Sequence, residues 1–350
     1  MTTTPTASTD ARAAVPDARD RALGALYGLA IGDALGMPTQ GMPRAEIARR
    51  WGLLGGFEPG PGDQPIAPGM PAGSVTDDTE QALLVARLLI DGGGHIAPLA
   101  FARALSDWER GMVERGSADL LGPSTKRAIE VINAGGPVQE AGRTGTTNGA
   151  AMRVAPVGVA APPGPALLDL VVESCLVTHN TTVGIAAAAA VAAAVSAGIA
   201  GAGTAEALAA AAGAARDGAR RGHWVAGGDI AARIDWARRH VAGLDDERLC
   251  TELYEVVGTS VASQESVVAV FAQAAARGDR PWPALRLAAS LGGDTDTVAA
   301  ILGAVLGACH GTAAWPADAV AAVRAANDLP FEELADGLLA LRRRGARPTA

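Results

Sequence analysis

Residues 292–307 read GGDTDTVAAILGAVLG, an acidic cluster that leads directly into an uncharged, apolar run. Residues 76–90, TDDTEQALLVARLLI, likewise join an acidic cluster to a mostly apolar run. In both stretches short oxygen side chains stand where a helix is expected to begin, and the residues that follow have the apolar spacing of a buried helix. Neither the first acidic cluster (76–79) nor the second (292–297) contains a Lys or Arg. Because an unpaired buried carboxylate is costly, we expect the two clusters to meet around a divalent cation.

The donor atoms of the two clusters narrow the choice of metal. Asp carboxylates and Thr hydroxyls are hard ligands that suit Mg²⁺, Mn²⁺ or Ca²⁺ and suit Zn²⁺ or Cu²⁺ poorly. An EF-hand is excluded, since neither cluster continues into a calcium loop closed by a Glu. The alternative for each cluster taken alone is helix capping, with Thr76 or Asp77 at one helix start and Asp294 or Thr295 at the other.

Helical periodicity dominates the chain. Aromatic residues make up 3% of the sequence, and alternating runs of Val, Ile and Thr are short, so strand signals are poor. The pattern predicts an all-α fold in which a first buried helix covers 27–36. The other predicted helices are 77–90, 98–113, 167–178, 205–221, 230–240, 246–257, 264–276, 297–310, 317–327 and 331–343.

The chain is expected to form one domain. Its 350 residues, 49% of them hydrophobic, can bury a large core. No linker divides it, and the two clusters must meet across more than half of its length. We therefore predict a single multi-helix domain over 20–343. Residues 1–19, rich in Thr, Ala, Pro and Asp, are predicted to be a disordered tail without a signal peptide, and 344–350 a flexible end.

Composition favours a cytoplasmic protein with small-molecule chemistry. The net charge of −8 argues against binding of nucleic acid driven by electrostatics. Cys175, Cys250 and Cys309 are scattered singly and are expected to be core residues. Segment 183–203 is uncharged and long enough to span a membrane, but it is mostly Ala and lacks flanking anchors. A tightly packed internal helix is favoured over a membrane span.

Five motifs occur in a specific order over roughly residues 22–310. Glycines recur every fourth residue in the first, which ends in GDALG at 32–36, and the others are TDDT at 76–79, TNGAAMR at 147–153, TH at 178–179 and GDTDT at 293–297. In this order and spacing the chain resembles the ADP-ribosylglycohydrolases. The glycines of the first motif lie on one helix face, where another backbone can approach closely.

The resemblance implies a compact all-helical, single-domain fold with a dinuclear metal cleft that holds two Mg²⁺ or Mn²⁺ ions. The catalytic carboxylates are expected to be Asp77, Asp78 and Asp294, although a residue bound directly to a metal is a poor general acid. Asp107, Glu109 or Glu114 is the alternative source of an acid. Asp33 is assigned to support of the ligands. The metal ligands map onto Thr76, Asp77, Asp78, Asp294, Asp296 and Thr297.

Substrate contacts are expected from glycine-rich loops that offer backbone N–H groups to a diphosphate. An ordinary surface turn is the alternative for the loop at 142–149. One departure from the family stands at Gln40, where a Glu is usual, and an amide there carries no charge and cannot act as a base. The expected substrate-binding residues are Gln40, Gly122, Pro123, Ser124, Gly145, Thr146, Thr147, Asn148, Gly149 and His179.

These features predict a metal-dependent hydrolase that cleaves an N- or O-linked ADP-ribosyl conjugate, using metal ions to bind ribose hydroxyls and activate water. A nucleoside or other ribosyl hydrolase is one alternative. A catalytically silent binding protein with the same fold is another. The expected partner is an ADP-ribosylated substrate or an ADP-ribose-like small molecule, with no membrane. The leaving group, the choice between Mg²⁺ and Mn²⁺ and the oligomeric state are left open.

Overall fold

The computed structural model describes residues 16–116 and 122–345, and this part of the chain contains no β-strand. The predicted all-α fold is confirmed. Within the described residues, two 3-10 turns, Met37–Thr39 and Thr312–Ala314, and one π turn, Leu253–Val257, interrupt the helices. In chain order the helices are α1 (Ala18–Gly36), α2 (Arg44–Trp51), α3 (Asp77–Asp91), α4 (Pro98–Glu114), α5 (Pro123–Asn133), α6 (Val138–Ala141), α7 (Gly149–Met152), α8 (Ala155–Ala160), α9 (Pro165–Cys175), α10 (Thr182–Ile199), α11 (Thr204–Gly218), α12 (Ile230–His240), α13 (Asp246–Glu252), α14 (Ser263–Arg277), α15 (Pro281–Ala289), α16 (Thr295–His310), α17 (Ala317–Ala326) and α18 (Phe331–Gly345).

The predicted helices all occur, and two of them differ clearly at one end. Helix α1 begins at Ala18 because the side chain of Asp17 accepts the backbone N–H of Asp20 and caps it. The helix predicted over 246–257 ends at Glu252, where the π turn takes over. Helices α1 and α18 extend slightly beyond the expected domain limits, and residues 1–15 and 346–350 of the expected tails lie outside the described residues.

The predicted glycine face of α1 packs against α16, and the two backbones touch. A Cβ atom placed on Gly28 would lie 2.2 Å from the carbonyl oxygen of Gly303, and one placed on Gly32 would lie 2.1 Å from that of Ala299. Gly24 meets Gly307 in the same way. Contacts that move forward along α1 move backward along α16, so the helices are antiparallel. The end of α1 therefore lies beside the start of α16, where the second acidic cluster stands.

The long Ala-rich helix lies in the core. In the described part of the chain, one helix, Thr182–Ile199, is long and apolar enough to cross a membrane by length and composition, but 94% of that segment is buried inside the protein. It packs against α8, α9, α11 and α16. The interpretation as an internal helix is confirmed. The three cysteines are buried and unpaired, as expected for core residues.

Candidate metal centre

Asp33, near the end of α1, holds the start of α3. Its carboxylate accepts the backbone N–H and the hydroxyl of Thr76, at 2.9 and 2.8 Å, and the same two groups of Thr79, at 3.1 and 2.6 Å. Free N–H groups at a helix start need acceptors, and here another helix supplies them. Thr76 occupies the N-cap position but its side chain makes no capping hydrogen bond. The capping alternative is therefore wrong for the first cluster, and its two acids, Asp77 and Asp78, are free for another role.

The start of α16 is held by a backbone turn. Asp294 occupies the N-cap position, again without a capping hydrogen bond from its side chain. Gly292 and Gly293 precede it with φ values of +91° and +82°, a region that favours glycine. The backbone N–H of Asp294 donates to the carbonyl of Thr259 at 2.7 Å. Its carboxylate accepts a hydrogen bond from the amide of Asn148. Asp294 is therefore placed by the turn and oriented by this amide.

The two clusters meet in the interior. The Thr297 hydroxyl donates to Oδ2 of Asp78 at 3.2 Å. Burial is the largest cause that raises the pKa of Asp77, Asp78 and Asp296 well above the usual range. Repulsion between the clusters raises the pKa further, since Asp294 acts on Asp77 and Asp296 acts on Asp78. Carboxylates that are far apart in sequence thus share one buried region.

Burial also raises the pKa of Asp33 to about 6, although its four hydrogen bonds from Thr76 and Thr79 favour the charged form. No ion pair within residues 16–116 and 122–345 engages Asp33 or a carboxylate of either cluster.

Two buried carboxylate oxygens of the clusters bear on whether this arrangement of acids suits a metal ion. Among the described residues, Oδ1 of Asp78 and Oδ1 of Asp296 have no hydrogen-bond partner, which is unusual for buried polar atoms. A hard divalent cation satisfies such oxygens. Across the described part of the chain, no three His, Cys, Asp or Glu side chains are drawn together as in a closed metal site. The available donors here are mixed, because the hydroxyls of Thr76 and Thr297 join the carboxylates, and this oxygen set suits Mg²⁺ or Mn²⁺.

A buried chain of hydrogen bonds connects the first cluster with His179. Gln81, one helical turn after Asp77, donates to Oδ2 of Asp77 at 3.4 Å and accepts from Nη1 of Arg153 at 2.7 Å. Nη2 of Arg153 donates to Oγ1 of Thr178 at 2.5 Å. The same oxygen lies 2.7 Å from Nδ1 of His179. Arg153 therefore links Gln81, beside the first acidic cluster, with Thr178, beside His179.

Arg153 and His179 are both completely buried. Burial lowers the pKa of Arg153 to about 10, so the guanidinium remains charged at neutral pH, and it lies 4.8 Å from the ring centre of Phe101. Burial, and then the charge of Arg153, lower the pKa of His179 well below its usual range. The imidazole is therefore neutral at neutral pH, and its Nε2 lies 2.9 Å from the hydroxyl of Thr147.

Several predicted substrate residues come together around His179. A Cβ atom placed on Gly145 would lie 2.0 Å from the carbonyl oxygen of Thr178. One placed on Gly149 would lie 3.0 Å from Cε1 of His179 and 3.6 Å from the hydroxyl of Thr125, in the first turn of α5. Among the described residues no side chain caps the start of α5, where the first N–H groups lack an acceptor within the helix. Its start brings in the predicted residues Gly122, Pro123 and Ser124.

The segment 146–148 is held by the start of α14. The carbonyl of Thr146 accepts the backbone N–H of Ser263 at 3.2 Å, and that of Thr147 accepts the Ser263 hydroxyl at 2.8 Å. Asn148 was expected to contact substrate, but its amide donates to Asp294 and to the hydroxyl of Ser266. Its place is therefore beside the second cluster.

Gln40 lies close to the second cluster. It follows the turn Met37–Thr39 and is 3% exposed. Its carbonyl accepts from the amide of Gln64 at 3.1 Å, while its own Nε2 is buried without a partner. The next residue, Gly41, donates its N–H to the carbonyl of Gly293 at 2.8 Å. This contact ties Gln40 to the turn that precedes Asp294.

The sequence assigned no role to Gln81, Arg153, Thr178 or Ser266. The spacing of Gln81 from Asp77 places both on one helix face, which is a usable signal. Arg153 and Thr178 stand within the motifs of the resemblance, but nothing local reveals their contacts. Of the alternative acids, Asp107 is exposed and paired with Arg110, and Glu114 is exposed.

The family model described as ADP-ribosylglycohydrolase matches residues 14–348. The chain belongs to the ADP-ribosylglycohydrolase family. A solved structure titled ADP-ribosylglycohydrolase-related protein complex has the same fold, with a TM-score of 0.62 and 28% sequence identity. The match covers 94% of this chain and 99% of that one.

The chain is also similar to three curated proteins. It is 34% identical to the uncharacterized protein YegU of Escherichia coli over 91% of this chain and 96% of the relative. An uncharacterized protein of Archaeoglobus fulgidus is 33% identical over 81% of this chain and 85% of its own length. The ADP-ribosyl-[dinitrogen reductase] glycohydrolase of Rhodospirillum rubrum is 35% identical over 49% of this chain and 55% of its own length.

Proposed function

We propose that this member of the ADP-ribosylglycohydrolase family is a metal-dependent hydrolase that cleaves the glycosidic bond of an N- or O-linked ADP-ribosyl conjugate. The observation that carries the proposal is the meeting of two acidic clusters without a basic partner in the described residues, with an unsatisfied buried oxygen on Asp78 and another on Asp296. A core that served packing alone would pair or replace such carboxylates.

The proposed cofactor is a pair of Mg²⁺ or Mn²⁺ ions. When bound, such ions orient the hydroxyls of a ribose, lower the pKa of a water and stabilise developing negative charge. Asp33 supports the proposed ligand set by fixing Thr76, and Asn148 supports it by orienting Asp294. The residues that would hold the ions are Thr76, Asp77, Asp78, Asp294, Asp296 and Thr297.

The proposed catalytic carboxylates are Asp77, Asp78 and Asp294. The two N-cap residues of these helix starts, Thr76 and Asp294, make no side-chain capping hydrogen bond. The proposed role of the three carboxylates is to accept a proton from water or to orient it. Asp77 and Asp78 are buried and Asp294 is half-buried, and the low local dielectric of such a setting strengthens the charge interactions in the site.

The proposed diphosphate site lies between segment 145–149 and the start of α5. In segment 145–149 the N–H groups of Gly145 and Asn148 already donate to backbone carbonyls. The proposed donors are therefore the other N–H groups of the segment and those at the start of α5, since helix starts favour anions. Neutral His179 contributes a hydrogen bond to Thr147 and no charge. The backbone N–H groups act on the anion at short range, so they support binding of an anionic substrate even though the net charge of the protein is −8.

The test uses the full chain and a substrate panel: ADP-ribosylated Arg, Ser and nucleic acid, free ADP-ribose derivatives and plain nucleosides. We expect hydrolysis of at least one ADP-ribosyl conjugate, its loss after chelation of divalent ions, and its recovery with Mg²⁺ or Mn²⁺. The same ions should raise the thermal midpoint, since they bind the folded state. Full activity after thorough demetallation would contradict metal dependence. Hydrolysis of nucleosides alone would favour a ribosyl hydrolase, and binding without turnover would favour a silent binding protein.

A further inference from the structure

Two groups converge on the hydroxyl of Thr178, which is completely buried. Nη2 of Arg153 lies 2.5 Å from Oγ1 of Thr178, and Nδ1 of His179 lies 2.7 Å from the same atom. A guanidinium nitrogen can only donate, so Thr178 accepts from Arg153. Among the described residues, the hydroxyl proton of Thr178 has one acceptor within hydrogen-bond distance, Nδ1 of His179.

The proton of the neutral imidazole is then on Nε2, because Nδ1 is occupied as an acceptor. The opposite tautomer would donate from Nδ1 to Thr178 and leave the Thr178 hydroxyl proton without an acceptor, an arrangement that buried polar groups avoid. Nε2 of His179 lies 2.9 Å from Oγ1 of Thr147 and donates to it. The hydroxyl proton of Thr147 therefore points away from the imidazole.

The same guanidinium also fixes an amide. Nη1 of Arg153 donates to Oε1 of Gln81, which leaves the Gln81 NH₂ group facing Asp77 at 3.4 Å. The buried guanidinium of Arg153 thus sets the direction of the hydrogen bonds made by Gln81 and by Thr178. In the described part of the chain no carboxylate pairs with Arg153, and its guanidinium donates hydrogen bonds to Gln81 and Thr178.

We propose that Arg153 is a positioning residue that fixes His179 as the Nε2–H tautomer and so presents Thr147 to the substrate as a hydrogen-bond donor. The acceptor that suits this donor is a phosphate oxygen of the ADP-ribosyl group. This second half rests on the proposed function. The first half, the tautomer, is independent of it.

The tautomer is read from long-range ¹H–¹⁵N spectra of the full chain labelled with ¹⁵N-histidine, since the protonated and the unprotonated ring nitrogens resonate far apart. The signals of His179 are identified by their absence from His179→Gln. We expect Nε2–H in the unaltered protein, a population of Nδ1–H in Arg153→Met and in Thr178→Val, and recovery of Nε2–H in Thr178→Ser. An Nδ1–H imidazole in the unaltered protein would overturn the proposal. Thr178→Val serves alone if Arg153→Met does not fold.

A matched control separates positioning from stability. Arg21 is also buried, but its guanidinium donates to backbone carbonyls of Pro16, Gly198, Ala202, Ala308 and Cys309. Arg21→Lys should lower the thermal midpoint without changing the tautomer of His179. If Arg21→Lys changed the tautomer as Arg153→Met does, the effect would be general loosening and the proposal would be wrong.

The substrate half is tested by calorimetry with ADP-ribose. Thr147→Val and Thr178→Val should each weaken binding about tenfold, the size expected for one hydrogen bond to a charged acceptor. The double variant should be little weaker than either one, because both act through the same hydroxyl. Unchanged affinity in Thr147→Val would overturn this half. Failure of every ADP-ribosyl conjugate to be hydrolysed would count against the proposed function and would leave the spectroscopic result standing.

Discussion

Helices α3 and α16 both begin with an acidic cluster, but the two starts are held in different ways. At α3 a buried carboxylate from another helix, Asp33, takes the hydrogen bonds of Thr76 and Thr79. At α16 the start of the helix is held by a backbone turn, in which Gly292 and Gly293 have positive φ angles. The first start depends on one side chain, and the second depends on a backbone turn.

Both arrangements have the same consequence for the cluster acids. A helix start normally recruits the nearest Asp or Thr as a cap, and here neither N-cap side chain makes that hydrogen bond. The carboxylates are held close together in an apolar interior at an electrostatic cost, which the raised pKa of Asp78 and Asp296 reflects. Such an arrangement lowers the stability of the folded protein and is typical of a site kept for function.

The largest effect is expected when a single carboxylate of either cluster is removed. Asp78→Ala and Asp296→Ala should each lower turnover on the order of a hundredfold or more, as should Asp77→Ala and Asp294→Ala, because a metal-centred transition state loses a ligand. Steady-state kinetics on the conjugate found in the substrate panel measures this. Asp107→Ala, an exposed acid, is the control and should keep normal rates.

Stability should move in the opposite direction. In the protein stripped of divalent ions, Asp78→Ala removes a buried charge that neighbouring carboxylates repel, so its thermal midpoint should rise above that of the unaltered chain. Near-normal turnover in both Asp294→Ala and Asp296→Ala would mean that the second cluster is only a helix start.

The sequence predicts the helices well and the contacts between them poorly. Helix α12, Ile230–His240, matches its prediction at both ends, because its apolar period is a local signal. The glycine face of α1 predicts a close backbone contact, but nothing local identifies α16 as the partner. Short helices such as α2, α6 and α15 were not predicted, since a few residues carry too little periodicity.

The site divides in the same way. Its acidic clusters stand out in the sequence because each is short, oxygen-rich and without a base. The supports do not, since Asp33 lies 43 residues from Thr76 and Asn148 lies 146 residues from Asp294. Such contacts depend on the packing of α1, α3, α7 and α16, which periodicity does not report. The resemblance supplied the motif that contains Asn148, but the hydrogen bond to Asp294 required the structure.

Asp33→Ala tests the side-chain support of α3. The variant leaves the N–H groups of Thr76 and Thr79 without an acceptor and should lower the free energy of unfolding by about 2 kcal/mol, measured by urea denaturation. The effect is limited because the same change removes a charge that raises the pKa of Asp77 and Asp78. Asp17→Ala removes an ordinary exposed cap from α1 and should cost about 1 kcal/mol. An Asp33 variant as stable as Asp17→Ala or more so would show that α3 does not need this support.

Asn148→Ala tests the side-chain support of the Asp294 carboxylate at the start of α16. Without the amide the carboxylate of Asp294 loses its orientation, and the affinity for Mn²⁺ should fall about tenfold, as is common when a group that orients a ligand is removed. Ser266→Ala is the graded control, because Ser266 accepts from the same amide at 2.9 Å and should cause a smaller loss. Equal affinity in Asn148→Ala and the unaltered chain would mean that the turn alone places Asp294.

The smallest effect is expected at Gln40, which stands beside the turn of the second cluster with an unpartnered amide. Gln40→Glu would add a negative charge near the proposed cations, and in a buried setting that attraction is stronger than in water, so the affinity for Mn²⁺ should rise roughly three- to tenfold. Gln40→Met keeps the volume, adds no charge and should not raise the affinity. Calorimetric titration of Mn²⁺ into the three proteins decides the question: equal or weaker binding by the Glu variant would place Gln40 outside the reach of the metal centre.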